Sequence, residues 1–403
     1  MEQLFLELIQ VALGYRKLLS ATPSAEEWKG IFALARMQTL VGVCFYGTQK
    51  IKGQGQAVNM PESLKMQWLA MASQIQRQNE VLNQRCAELS RRLTESGFAC
   101  CLLKGQAFAE LYGTSASTTL HAKESKNHCS TIEKPEKVLA GMRQSGDIDM
   151  WIKAEPENVI AWARRTGKLK SFDYHHADVR IFPDVEVELH YRPSISRNLV
   201  RNTRLQKWFK EYGWNHTVYH DSLGCFVPDK TCNIVLCLNH IFCHLFFEGV
   251  GLRQLMDLYF ILKSEGYDKE EKEDITQLLK RFHLLRFAAA VMWVEREVFG
   301  LQEQYMLCEP DENSGRYFLQ EIMRSGNFGH HDVRLKGARA GNRLRLMWRW
   351  MKHSMRLFCY YPEDVLWTPV GIVWISMWRR KQVFGDLFAP SPLGRKGKRL
   401  LIA

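Results

Sequence analysis

A chain of 403 residues has room for one large hydrophobic core or two to three ordinary ones. With 46% hydrophobic and 24% charged residues it is composed as a folded globular protein, which excludes a disordered or low-complexity role. The formal net charge of +12 is concentrated at one end: residues 334–403 hold 15 Lys or Arg against 3 acids, so everything upstream is close to neutral. Such a basic region suits contact with anionic lipid, RNA or a phosphorylated substrate, and equally a solvated basic face. The eleven cysteines are scattered without a Cys-x-x-Cys pair, and the first eight residues carry acids where a secretory signal would carry Lys or Arg. The thiols are therefore expected to be reduced core fillers in a cytoplasmic protein.

Residues 1–95 form an N-terminal helical region by pattern. Leu4, Leu8, Ile9 and Val11 recur at helical spacing, Ser24 caps a second helix, and a long amphipathic segment runs from Ser63 to Thr94. Phe98–Leu103 is a continuous apolar run that suits a buried strand; Lys104-Gly105 stops it, and Gln106–Tyr112 starts a helix. Residues 113–138 are rich in Thr, Ser, Lys and Glu with no apolar period, and read as an inserted polar loop. Asp147–Ile152 alternates acid and apolar residues as a second strand, Glu155–Thr166 is a helix with Pro156 in its first turn, and His176–Phe182 and Val185–Tyr191 form a hairpin across Pro183-Asp184. These elements make an α/β unit at 96–197.

From 198 to 333 the pattern is helical again, clearest at Lys230–Phe247, Leu252–Ser264 and Asp274–Phe299, with a polar stretch from 309 to 342. Residues 334–403 form a basic, Trp- and Arg-rich region whose segment 344–352 reads as a basic amphipathic helix, with Trp348 or Trp350 packed on the body or facing RNA or lipid. The apolar run Val365–Trp378 contains Pro369 and Gly371 and is too short to span a bilayer, so no transmembrane span is expected. The fold class is α+β: a small mixed sheet flanked by helical regions on both sides.

Residues i and i+2 of a strand share a face, so Asp147 and Asp149 project together, as do Glu186 and Glu188 on the later strand. Acids crowded on one face repel unless a cation compensates, and Mg²⁺ with its preference for oxygen is the economical choice. A bare Asp-x-Asp is more often an exposed edge, or here a partner of Arg143 or Arg180. The recurrence of acids on a second strand and Gly146 directly before the pair favour a metal centre. Cys237, His240 and His244, with Cys243 nearby, share a helix face; packing is the preferred reading over a soft metal site. His175-His176 reads as structural. Arg253 and Asp257, four residues apart, read first as an intrahelical pair and second as a substrate contact.

Leu103-Lys104-Gly105, then Arg143-Gln-Ser-Gly146-Asp147-Ile-Asp149, then Val187-Glu188-Leu189-His190, resemble the uncharacterised nucleotidyltransferase family of the DNA polymerase β-like superfamily. Gly251–Leu258 and the tail segment 361–369 are similar to its helical and C-terminal parts, so the resemblance touches most of 96–380. It implies that Asp147 and Asp149 bind Mg²⁺ and the NTP, with Glu188 as third carboxylate assisting deprotonation of a hydroxyl acceptor and Glu186 as its alternative. It also implies that Lys104, Gly105 and Gly146 lie by the phosphates and that Arg143 binds the departing pyrophosphate. The chain departs from the family in the long segment between Tyr112 and Arg143 and in Glu rather than Asp as the third acid. Two other outcomes compatible with these residues are a catalytically weak nucleotide-binding module attached through its basic region, and a metal-dependent phosphohydrolase.

Overall fold

Seven short strands form one mixed sheet, and its order explains how acids distant in sequence become neighbours. In the computed structural model, which describes residues 1–113, 135–264, 266–329, 348, 351–352 and 354–388, the order is β3-β4-β5-β2-β1-β7-β6. These are β1 (Cys100–Leu103), β2 (Ile148–Ile152), β3 (Leu169–Phe172), β4 (His176–Val179), β5 (Val187–His190), β6 (Thr217–His220) and β7 (Cys225–Pro228). β2 lies centrally, antiparallel to β1 and parallel to β5, and β5 runs antiparallel to β4 as the hairpin pattern predicts. The central strands β1 and β2 are buried along their whole length, as their apolar runs require.

Two features differ from the sequence reading. β3 arises from Leu-Lys-Ser-Phe, too short and polar to show a period, and pairs only as an edge against β4. The β6–β7 hairpin falls in the stretch expected to be helical; β7 pairs in parallel with β1, so the sheet extends beyond residue 197. Its residues alternate weakly, and it is pinned by long-range pairing that no local window contains. The expected polar loop 113–138 lies mostly outside the described residues, but its end does not: Pro135–Gly141 is helical. The polar stretch from 309 also contains a helix, Glu312–Ser325, which buries Phe318 and Ile322 and brings Gly315 against Trp293.

The N-terminal region folds as expected. A capping box joins Ser24 and Glu27 at the start of Ala25–Met37, and the long helix runs Glu62–Glu95. That helix grips the loop before β2: Asn79 Nδ2 donates to the carbonyls of Gly141 and Arg143, both at 2.8 Å. Among the described residues one helix, Lys230–Phe247, is long and apolar enough to span a bilayer; its apolar character is accounted for by burial at the centre of the helical region.

The run Val365–Trp378 belongs to a longer C-terminal helix, Pro362–Phe388, which accommodates Pro369 inside it. Gly371 is required there, because a Cβ would sit 2.4 Å from the carbonyl oxygen of Arg197. The helix is anchored at its first turn by the ion pair of Asp364 with buried Arg201, whose Nε also donates to the Phe282 carbonyl at 2.7 Å. Of the two tryptophans expected to offer one for packing, Trp348 is exposed; Trp350 and the tail beyond 388 lie outside the described residues. Removing the carboxylate of Asp364 leaves the guanidinium of Arg201 buried with carbonyls alone. Asp364→Ala is expected to cost about 3 kcal/mol, read as a lower urea midpoint at unchanged slope.

Candidate active site

The register of the sheet builds the site. β2 and β5 place Asp149 beside Glu188, and β4 adds Asp178 opposite Glu188, so three carboxylates form one rung. The neighbouring rung holds His190 of β5 opposite His176 of β4. Asp147 stands one residue before β2, in the turn after Gly146. The rungs form one wall of a cavity of about 400 Å³ whose other wall comes from helices Lys230–Phe247 and Leu252–Ser264.

Close packing of carboxylates has visible electrostatic consequences. Asp147 is exposed, yet the neighbouring Asp149 charge, then partial desolvation, then Glu188 push it up to about 6. Asp149 moves the other way: burial opposes its ionisation, but Lys104 and His190 outweigh this and hold it below the usual carboxylate range. Lys104 Nζ lies 3.2 Å from Asp149 Oδ1, and His190 Nε2 lies 2.7 Å from the same oxygen and 3.2 Å from Glu188 Oε2. Against the cost of burial, those two carboxylates raise His190 to about 9. Glu188 is lowered, with its bond to His190 overcoming burial.

Lys104 reaches this position from a left-handed backbone (φ 47°), a strained conformation for a residue with a Cβ. Gly105 follows at φ +49°, 3.7 Å from the Asp147 carbonyl by its notional Cβ. The helix it opens, Gly105–Ala109, is a little over one turn long.

The structure separates the two candidates for third carboxylate. Glu186 precedes β5 and turns to solvent, where it pairs with Lys170 at 2.9 Å. Glu188 faces the cavity. Arg143 is also at the cavity wall, but its guanidinium is engaged: Nε and Nη2 donate to the two carboxylate oxygens of Asp257 at 2.7 and 2.8 Å, and Nη1 donates to Ser145 Oγ. The Tyr112 hydroxyl donates to Asp257 as well, at 2.8 Å. The expected intrahelical pair of Arg253 and Asp257 is thereby overturned, because a bidentate buried partner outcompetes a neighbour one turn away. Arg253 faces the cavity with no hydrogen bond or ion pair among the described residues, and burial followed by the Arg143 charge pushes its pKa down. Asp257, Tyr112 and Asp147 offset that push only in part.

His240, Cys237 and Cys243 line the helical wall, as does His244. The Cys237 thiol donates to the Gln254 carbonyl and the Cys243 thiol to that of Ile195, and these residues form no metal-binding group among the described residues. The packing reading fits them. His175 and His176, read as structural, instead lie in the cavity. Their signal in the sequence was the alternation of His176 and Asp178, which mirrors Glu188 and His190 across the hairpin. Arg197, which also lines the cavity, carried no such signal.

Among the described residues, three groups of side chains have donor atoms close enough to share a cation, and each includes Glu188, His190 or both. A family model described as an uncharacterised nucleotidyltransferase matches residues 24–118 and 139–300, while no curated protein and no solved structure matches the chain. The unmatched interval 119–138 falls in the segment read as an insertion, and every residue lining the cavity lies inside the matched stretches. On that match, which takes in well over half of its length, the chain belongs to the uncharacterised nucleotidyltransferase family.

Proposed function

We propose that the cavity transfers a nucleoside monophosphate from an NTP to a hydroxyl acceptor, with Mg²⁺ bound by Asp147, Asp149 and Glu188 and pyrophosphate released. The observation that carries this reading is the pairing of Asp149 with Glu188 on adjacent strands, with Asp147 lining the same cavity and raised by their charge. Such a set fits a divalent cation, since a cation removes the repulsion that the fold has built in. When bound, Mg²⁺ would neutralise triphosphate charge and lower the pKa of the attacking hydroxyl.

The chain's own residues have distinct tasks in this reading. Asp147 and Asp149 would hold the cation beside the triphosphate. Glu188 takes the acceptor hydroxyl proton, its carboxylate oriented by the hydrogen bond it accepts from His190 Nε2. Lys104 and Gly146 border the phosphates, and Gly105 lets the backbone approach them closely. Because Arg143 is committed to Asp257, we assign the pyrophosphate contact to Arg253. In-line attack then depends on positioning and charge neutralisation, and needs no covalent intermediate.

The test is incubation of purified protein with each labelled NTP, Mg²⁺ and cell extract, following pyrophosphate release and label transfer. Asp147→Asn and Asp149→Asn are each expected to lower transfer by at least about 10²-fold. Equal behaviour of wild type and both variants with every NTP sinks the reading. The two arginines give a second contrast. Arg253→Ala should weaken NTP binding by about 10–100-fold with no loss of thermal stability, the effect of one charge-assisted contact. Arg143→Ala should lower the melting temperature instead, because it leaves Asp257 buried without its partner.

A separate surface observation favours an additional attachment of the protein to anionic lipid. The C-terminal helix exposes Leu366 (66%), Val370, Val373 and Met377 (64%) in one stripe at helical spacing, and Arg379, Arg380 and Lys381 follow directly. An apolar stripe ending in cations matches an anionic bilayer surface better than an RNA backbone, which offers nothing to the apolar side chains. Full-length protein should sediment with phosphatidylserine vesicles, less with phosphatidylcholine alone, and Leu366→Ser/Val373→Ser should release it. Retention by RNA and not by vesicles overturns this reading.

A further inference from the structure

The carboxylates account for only part of the cavity's sheet wall. Beside them stand three imidazoles, from His175, His176 and His190, whose donor nitrogens lie close enough together to share one ion. His176 Nδ1 is 3.0 Å from His175 Nε2 and 3.6 Å from Glu188 Oε2, and His190 Nε2 is 3.2 Å from that same carboxylate oxygen. A tetrahedral ion with bonds of roughly 2.0–2.1 Å separates its ligand atoms by about 3.3 Å. The three measured separations bracket that value.

The far side of two of these rings carries a second, independent sign. Metal-bound histidines usually present their other nitrogen to a carboxylate or a backbone carbonyl, which orients the ring and fixes its tautomer. His176 turns Nε2 towards Asp178 Oδ1 at 3.6 Å, leaving Nδ1 to face the cluster. His190 turns Nδ1 to the Arg192 carbonyl at 3.4 Å, leaving Nε2 to face it. A purely structural stack of imidazoles has no need for both rings to be aimed this way. His175 Nδ1 meanwhile is buried with no hydrogen-bond partner among the described residues.

We propose that His175, His176, His190 and Glu188 form a tetrahedral site for a first-row transition ion of the Zn²⁺ class, distinct in ligand chemistry from the oxygen site of Asp147 and Asp149. Three nitrogens and one oxygen suit Zn²⁺ or its analogues and not Mg²⁺, which prefers oxygen and retains its waters. The ion would take the place of the proton that His190 holds between Asp149 and Glu188. The proposal goes beyond nucleotidyl transfer and does not require it, although the two sites share Glu188.

Co²⁺ serves as a coloured probe for the Zn²⁺ class. Chelator-stripped full-length protein titrated with Co²⁺ is expected to develop intense visible absorption bands of a tetrahedral nitrogen-containing site at one equivalent, and Zn²⁺ should abolish them. The wild-type spectrum reads the ligand set without any variant. His175→Ala/His176→Ala should remove the bands, and Asp178→Asn should weaken Co²⁺ binding by about tenfold, as loss of an orienting partner does. Asp147→Asn should keep the spectrum whether or not transfer activity exists, so failure of one proposal is visible separately from failure of the other. No visible band in folded wild-type protein, or a band that survives loss of both histidines, overturns the site.

Discussion

The structure is organised around an electrostatic problem: Asp149 and Glu188 are paired on adjacent strands, and Asp147 lines the same cavity just before them. Carboxylates at such spacing destabilise a fold unless cations answer them. Lys104 and His190 answer Asp149, and His190 also answers Glu188, while Asp147 is left with a raised pKa. The strained backbone at Lys104 belongs to the same arrangement, because it sets the ammonium within reach of Asp149 at the end of β1. The protein's own cations thus neutralise the carboxylates only in part.

The second organising contact is the buried pair of Arg143 and Asp257, with Tyr112 as third member. It ties the loop before β2 to helix Leu252–Ser264, so the carboxylate strand and the helical wall of the cavity are fixed to each other. Tyr112 stacks on Phe260 of the same helix, with ring centroids 4.1 Å apart, adding an apolar contact to the polar one. Tyr112 and the Arg143 loop flank the long polar segment on its two sides. The insertion therefore leaves and re-enters the fold at elements clamped to one aspartate, which explains how so long an excursion is tolerated beside the site.

Local chemistry was legible in the sequence. The strand alternation around Asp149 and Glu188, the Lys104-Gly105 turn and the long helix ending near Thr94 all follow from patterns contained within a short window. What could not be read depends on pairing between distant segments. The period-2 rule gave Glu186 and Glu188 equal standing; only the end of β5 and the reach of Lys170 part them. Asp257 had a plausible cation one turn away in Arg253, and only the folded chain brings Arg143, 114 residues distant, into bidentate contact. The β6–β7 hairpin depends in the same way on β1, to which it adds from far along the chain.

The exchange of partners between the two arginines has a consequence for the cavity. Arg143 is bound at bonding distance to Asp257 and so is fixed in the wall, although Arg253 still senses its charge. Arg143 therefore acts as a structural element despite lying within the family's recognisable motif. Arg253, released from Asp257, keeps its full charge at the opposite wall, where Asp147 is among the groups that sense it. The sheet wall presents carboxylates, and the helical wall presents a guanidinium with no hydrogen bond or ion pair among the described residues. The field across the cavity is thus directed from the helical wall towards the sheet, and it arises because a long-range ion pair displaced a local one.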